Sequence, residues 1–299
     1  MKILLTGGLG FVGKTLTKGF LAAGHQVTAV DLAGRSPFAL SGYEYVPGDT
    51  TRPGLWQQAL SSCDCCVNLA GISIFRRWNA YAKKAIYDSR ILTTRRVAEA
   101  IPQDRPFTLL STSAAGFYGF HGAEELTEED GPGSDFLAHV CVDWEREAGA
   151  AEEKGARVVR TRFGVVLGKR GGALAAMRRP FSLGLGGPLG SGSQYFPWVH
   201  EKDLLRIFLF LLAKTDIRGP VNCTSPLSVT NREFARALGR ALRRPAVLPA
   251  PATAVRLLLG EFGDSLLHGQ RVAPRKLLNA GFTFSYPELS QALGDLLAP

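Results

Sequence analysis

Close to the start of the chain, the run Gly7-Gly8-Leu9-Gly10-Phe11-Val12-Gly13 stands between an aliphatic stretch, Lys2 to Thr6, and apolar residues at helical spacing, Leu16, Phe20 and Leu21. That order reads as strand, tight turn and helix. Gly24 stops the helix, and Gln26 to Val30 supplies a second strand ending in Asp31, eighteen positions after Gly13. One βαβ unit is thereby complete. Its glycines bring the backbone close to a pyrophosphate, and the first amides of the helix solvate the negative charge. Gly7, Leu9, Gly10, Phe11, Val12 and Gly13 are the expected contacts of a dinucleotide cofactor. Asp31 would accept hydrogen bonds from an adenosine ribose diol and repel a 2′-phosphate, which favours NAD over NADP. Lys14 and Arg35 pull mildly towards NADP, and an ordinary turn residue at a strand end is the alternative role for Asp31.

The alternation continues. Tyr43 to Val46 reads as a third strand followed by Gly48-Asp49, Leu55 to Leu60 as a short helix, and Cys65 to Leu69 as a fourth strand ending at Ala70-Gly71. Asn79 to Ile101 is helical with Pro102 as its stop; Phe107 to Leu110 is a fifth strand entering Ser111-Thr112-Ser113, and Arg157 to Val166 a sixth. Strands separated by helices predict an α/β fold, a Rossmann-type doubly wound parallel sheet. Ligands of such sheets lie beyond the carboxyl ends of the strands, where Asp31, Asp49, Leu69, Ala70, Gly71, Ser111, Arg162, Phe163 and Gly164 would converge on the cofactor. Glycine-rich sequence from Gly168 to Gly192 then breaks the pattern, a helix runs from Lys202 to Lys214, and the region after Thr230 is mostly helical with a Pro-rich break from Pro245 to Pro251. The expected organisation is a Rossmann domain over 1–168, to which the chain returns around 198–225, and a smaller, mostly helical substrate-capping domain over 169–299.

With 299 residues, the chain is long enough to bury a large core without disulfide staples. Its longest apolar run, Ile207 to Ala213, is far short of the roughly 20 residues of a membrane-spanning helix. The first residues offer no apolar signal core, so the expected compartment is the cytoplasm. A formal charge of +9 comes as scattered pairs, Arg76-Arg77, Arg178-Arg179 and Arg243-Arg244, which suits a small anionic substrate better than nucleic acid. Five cysteines, three of them at positions 63, 65 and 66, are expected to be free thiols. Cys63-Asp64-Cys65-Cys66 offers too few converging ligands for a metal, and none is expected. Glu128, Glu129 and Asp130 read as a solvated acidic turn.

Thr6 to Gly13 (TGGLGFVG), Asn68 to Gly71 (NLAG), Ser111 to Gly119 (STSAAGFYG) and Arg162 to Gly168 (RFGVVLG) resemble an extended short-chain dehydrogenase/reductase, in the order and spacing of that superfamily. Arg77-Trp78 with Lys84, Ser89-Arg90 and Thr93, Asp135-Phe136-Leu137 leading to Trp144-Glu145, Leu183 to Gly192, Phe196 to His200 and Gly281 to Leu289 resemble one atypical branch, the epimerase family proteins with a C-terminal domain of unknown function. The resemblance covers almost the whole chain. It implies an NAD(P)-binding domain and a C-terminal domain that closes over a substrate, with relatives generally preferring NADP; Asp31 departs from that preference.

Superfamily members usually move a proton through a tyrosine held as phenolate by a lysine four residues later. Matching Glu145 to the glutamate that commonly follows this pair puts Leu137 and Cys141 at the two positions, and neither side chain can do the work. Ser113 is then the candidate substrate-orienting hydroxyl, with Thr112 as its neighbour. Tyr118 is the nearby phenol, either a proton donor or a residue lining the pocket. Arg77, Trp78, Lys84 and Arg90 border the crevice as candidate substrate contacts that suit an anion; a solvated helical face with Trp78 as packing anchor is the alternative. Trp198 and His200 precede Asp203, where fixing the approach to the second domain by a helix cap is the expected role. Two functions follow: an NAD(P)-dependent oxidoreductase or epimerase acting on a hydroxyl or keto group, with a nucleotide sugar as one substrate class, or an NAD(P)(H)-binding regulator without turnover.

Overall fold

A computed structural model describes residues 1–298, built around a seven-stranded sheet whose neighbouring strands all run parallel. The strands are β1 (Lys2–Thr6), β2 (Gln26–Asp31), β3 (Tyr43–Pro47), β4 (Cys65–Asn68), β5 (Thr108–Ala114), β6 (Arg157–Phe163) and β7 (Gly219–Cys223). Their order across the sheet is β7-β6-β5-β4-β1-β2-β3, so the direction of winding reverses between β1 and β4. Ligand crevices of doubly wound sheets open at that reversal.

Helices cover both faces. α1 (Phe11–Ala22), α2 (Leu55–Ser61), α3 (Ala80–Glu99) and α4 (Phe136–Gly149) connect the first six strands, while α5 (Gly172–Ser182) and α6 (Glu201–Ala213) lie between β6 and β7. Side chains alternate along each strand, so β1 sends Ile3 and Leu5 into a core with Leu16, Phe20, Ile207 and Phe208 from α1 and α6. Leu4 points the other way, to Trp56, Val97 and Ala148 from α2, α3 and α4. Burial on both faces explains why these strands read as continuous apolar runs.

The sixth strand ends earlier than its sequence suggests. At Gly164 a Cβ would lie 2.9 Å from the Pro197 backbone, and here the chain leaves the sheet. Val165–Gly168 instead pairs with Trp198–His200 as a separate parallel ribbon. Beyond β7 the chain is mainly helical: α7 (Asn231–Leu242), α8 (Ala252–Leu259), α9 (Glu261–Leu267), α10 (Arg275–Asn279) and α11 (Leu289–Leu297). Phe234 and Leu238 of α7 pack with Leu293 and Leu296 of α11 and with Trp198. Asp203, fully buried, receives the Ser285 and Tyr286 amides at 2.8 Å each and so ties this region to α6. His200 caps α6 through Nδ1, which accepts from the Lys202 amide at 3.0 Å.

All five cysteines are buried free thiols. Among the described residues no helix is long and apolar enough to cross a membrane, and no group of three or more His, Cys, Asp and Glu side chains converges as a metal site would require.

The loop before α1 leaves no room for a methyl group at Gly13, where a Cβ would stand 2.3 Å from the Gly7 carbonyl oxygen. Gly13→Ala should therefore lower unfolding free energy by about 1–3 kcal/mol in urea titration, as overpacking does. Gly34→Ala, whose methyl meets nothing within 4 Å, is the control expected to unfold as the parent does.

Candidate functional site

At the winding reversal the glycine loop lies directly against the end of β4. Gly7 has φ +67°, and a Cβ there would come within 3.1 Å of the Ala70 backbone. The Gly10 amide donates to the Gly7 carbonyl at 3.0 Å, closing the turn before α1. No side chain caps α1, so its first amides retain the electropositive character that suits an anion. Asp31 accepts from the Leu9 amide through Oδ2 and from the Leu32 amide through Oδ1, both at 2.8 Å. Its carboxylate thus clamps the glycine loop to the end of β2, a task the sequence pattern did not reveal.

A second set of hydrogen bonds fixes the other lip. The Thr6 hydroxyl donates to Asn68 Oδ1 at 2.7 Å and accepts from the amides of Leu69 and Ala70 at 3.1 and 3.2 Å. Asn68 Nδ2 donates to Thr94 at 2.8 Å and to the Ser111 hydroxyl at 3.3 Å. Leu69, Ala70 and Ser111 are therefore held in register with the glycine loop by one buried polar chain. Elsewhere the expected cofactor residues have other partners. Phe11 packs its ring where Cβ atoms of Gly168 and Gly171 would stand at 2.2 and 2.5 Å. Phe163 meets the Phe208 ring edge-on at 5.9 Å, and Val12 joins the core beneath. Asp49 accepts from the Thr51 hydroxyl at 2.6 Å, which, with Arg52 at 3.7 Å, holds its carboxyl below the usual range.

Behind the crevice lies a buried ionic network. Arg162, 3% exposed, forks onto Glu145, with Nε at 2.8 Å from Oε1 and Nη2 at 2.9 Å from Oε2. Ser113 donates to the same Glu145 Oε1 at 2.7 Å. The third arm of the guanidinium, Nη1, donates to the Tyr118 hydroxyl at 2.9 Å, and that hydroxyl donates to Asn222 Oδ1 at 2.8 Å. Phe117 lies 3.4 Å beneath the guanidinium carbon. Burial weakens the arginine's charge, but Glu145 outweighs it and the pKa stands above the ordinary value. Tyr118 is wholly buried; burial pushes its phenol up to about 12 despite the opposing effect of Arg162. Tyr118 therefore does not face the crevice as an exposed proton donor would, because both of its hydrogen-bonding directions are used inside the protein.

The network runs on into the C-terminal region. Asn222 donates its amide to Glu128 at 2.9 Å and its side-chain nitrogen to the Ala273 carbonyl at 2.9 Å. Glu128 also accepts from the Lys276 amide, 3.2 Å from Oε2. The expected solvated turn is thus corrected at Glu128, which is 8% exposed and satisfies the buried Asn222 amide and the half-buried Lys276 amide.

Leu137, Cys141 and Glu145 follow one another at four-residue spacing along α4, facing the end of β5. Cys141 Sγ lies 3.9 Å from the Ala114 carbonyl, and burial pushes its thiol up to about 12. Of the residues proposed on the substrate side, Arg90 lies against the β4 lip: a Cβ on Gly71 would lie 3.2 Å from its guanidinium carbon, which stands 5.2 Å over the Trp144 ring. One nitrogen of Arg90 donates to the Ile72 and Ile86 carbonyls, each at 3.0 Å, and burial lowers its pKa to about 10. Trp78 is 8% exposed and packs on Phe136 and Phe262, so it joins α4 to α9 as a wedge. Lys84 pairs with Asp88 one turn along α3, and Arg77 lies beside Gly260.

This constellation, a glycine turn at the winding reversal with a helical region behind it, defines a Rossmann-type protein of the epimerase class. The model of the NAD dependent epimerase/dehydratase family matches residues 3–223, and that of a domain of unknown function, DUF1731, matches residues 250–296. The chain belongs to the NAD dependent epimerase/dehydratase family. It is 41% identical over 307 residues to human epimerase family protein SDR39U1, covering 100% of both chains. The crystal structure of human SDR39U1 isoform 2 with NADPH superposes with a TM-score of 0.85 at 37% identity, over 99% of each chain. A nucleoside-diphosphate sugar epimerase structure from Corynebacterium glutamicum gives a TM-score of 0.80 at 33% identity, over 99% of this chain and 58% of that one.

Tyr118→Phe should cost about 1–3 kcal/mol, since it strands Asn222 Oδ1 and one arm of Arg162. The phenol's pKa is raised from 10.0 when unfolded to about 12 when folded, so its contribution is complete below pH 10 and lost as pH rises towards 12. Urea titrations across that window should show a shallower alkaline fall for the phenylalanine variant than for the parent.

Proposed function

We propose that this protein is an NAD(P)(H)-dependent oxidoreductase or nucleotide-sugar epimerase-like enzyme, acting on a hydroxyl or keto group of a small anionic substrate. The observation that carries this reading is the glycine loop, clamped by Asp31 and laid against Ala70, before an α1 end that no side chain caps. That arrangement suits a diphosphate between the loop and the β4 lip. Human SDR39U1 with NADPH supports the cofactor class, and the Corynebacterium relative supports a nucleotide-linked substrate. In this reading Gly7 to Gly13 hold the diphosphate, Asp31 and Asp49 border the adenosine end, and Leu69 to Gly71, Ser111 and Arg162 to Gly164 border the nicotinamide end. A bound nicotinamide supplies the hydride chemistry. Substrate closes between this crevice and the region 169–299.

The chain's own residues then share the remaining work. Ser113, anchored on Glu145, orients the substrate oxygen. Tyr118 is a positioning residue: it holds Arg162, and through it Glu145, rather than touching substrate. Arg90 brings the positive charge that Cys141 cannot supply at the lysine position. Its one well-bonded nitrogen leaves further N–H groups for a ligand acceptor, which offsets the cost of a partly desolvated cation. Arg77 and Lys84 add positive charge at the rim, and Trp78 shapes the wall.

Leu137 and Cys141 favour the second reading, a NAD(P)(H)-binding regulator without turnover, because leucine has no proton to exchange and a thiol cannot stand in for the lysine ammonium. Purified protein incubated with reduced cofactor and a panel of carbonyl compounds separates the two by absorbance. Cofactor oxidation that falls at least about tenfold in Ser113→Ala or Arg90→Met, with melting temperature retained, supports the enzyme. Tight binding with no consumption across the panel and no conversion of nucleotide sugars to their epimers supports the regulator, since an epimerase returns its hydride and consumes no cofactor overall. Asp31 is assigned a preference for the unphosphorylated cofactor, opposite to the NADPH held by the human relative. Asp31→Asn keeps an acceptor for the Leu9 amide and removes the charge. Calorimetry should show NADPH affinity rising relative to NADH in that variant; an unchanged ratio would remove this role from Asp31.

A further inference from the structure

Outside the crevice, a row of arginines without carboxylate partners among the described residues lies on α7. Arg232, Arg236 and Arg240 recur every four residues and Arg244 follows just beyond the helix, so all four line one cleft of about 570 Å³. Steps of four residues set successive α-carbons about 6 Å apart along the axis. All four arginines are exposed, and among the described residues none forms an ion pair with a carboxylate. Arg232 donates to the Ser191 carbonyl; Glu233, the neighbouring acid, is turned away to cap Thr230 at the start of the helix. No acidic residue lines the cleft.

The opposite wall is apolar and rigid. Pro188, Pro245, Ala246, Val247 and Pro249 form it. Gly239 allows this return of the chain, because a Cβ there would lie 2.6 Å from that of Ala246, and Arg243 turns the corner with φ +54°. Backbone bonds lock the wall in place: Gly190 N donates to Ala250 O at 2.8 Å, Ala250 N to Pro188 O at 2.9 Å, and Arg232 N to Gly192 O at 2.9 Å. Three prolines and three backbone ties make this a preformed cleft, and its volume is within the range of small-molecule sites.

We propose that this cleft is a second binding site, separate from the glycine loop, for a nucleoside polyphosphate. Its phosphates lie along the arginine row, where guanidinium forks match phosphate oxygens, and its base lies against the proline wall. The arrangement explains the pairing of a charged wall with an apolar one, which a purely inorganic anion would not use.

ATP, tripolyphosphate and a short oligouridylate serve as probes in calorimetry with the full chain. The expected result is ATP binding that is stronger than tripolyphosphate binding, weakens with added salt, and falls about tenfold or more in the Arg236→Gln/Arg240→Gln variant at unchanged melting temperature. ATP binding that survives this double substitution belongs to the glycine loop and overturns the proposal. So does absence of ATP binding to the parent protein. Oligouridylate binding about a hundredfold tighter than ATP would likewise overturn it, in favour of a nucleic-acid surface.

Discussion

The buried pair between Arg162 and Glu145 is the contact on which the back of the crevice depends. Arg162 lies one residue before the end of β6, Glu145 is on α4, and their forked bond brings in Ser113 from β5, Tyr118 from the turn after it, and Asn222 from β7. Burying two charges is costly, and a pair of this kind persists only when every arm is satisfied. Here each is: three guanidinium nitrogens and both carboxylate oxygens have partners, and Phe117 covers the flat face. The pair therefore specifies a single alignment of three strands and one helix at the end where chemistry would occur.

That alignment has consequences on both sides. Towards the crevice it fixes the Ser113 hydroxyl and leaves Leu137 and Cys141 on the neighbouring turns of α4. Towards the C-terminal region it passes through Asn222 to Glu128, Ala273 and Lys276. Movement of the C-terminal helices would thus be felt at β7 and, one hydrogen bond further, at Tyr118. A phenol in such a chain serves as a neutral strut, and burial raises its titration further, from the ordinary 10.0 to about 12.

The front of the crevice uses a different economy. Its glycine loop has Leu9 as the one side chain between Gly7 and Gly10, so its shape is set from outside by Asp31, by Thr6 and by contact with Ala70. Backbone amides are then left to face an anion. Polar side chains serve here as scaffolding for the backbone, whereas behind the sheet they serve one another.

Much of this was legible in the linear chain. Glycines at fixed places, apolar runs of strand length and helical periodicity are local properties, so the βαβ start, the parallel sheet and the helical C-terminal region follow from them. Asp31 and Arg162 could be set at strand ends by counting, whereas Ser111, expected just past the fifth strand, stands midway along β5 because that strand runs on to Ala114. What counting could not reach were partners distant in sequence: Arg162 with Glu145, Asn222 with Glu128, or the exit of the chain at Gly164 towards Pro197. The role of Tyr118 changed for the same reason, since a hydroxyl's partners depend on which strands lie beside it. Charge behaved likewise. Arg243-Arg244 was visible as a pair, but the row formed by Arg232, Arg236, Arg240 and Arg244 became a cleft only when the chain folded its prolines back against α7. Local patterning determines elements because it acts over a few residues; side-chain partnerships are decided by packing, which brings together groups separated by up to a hundred residues or more.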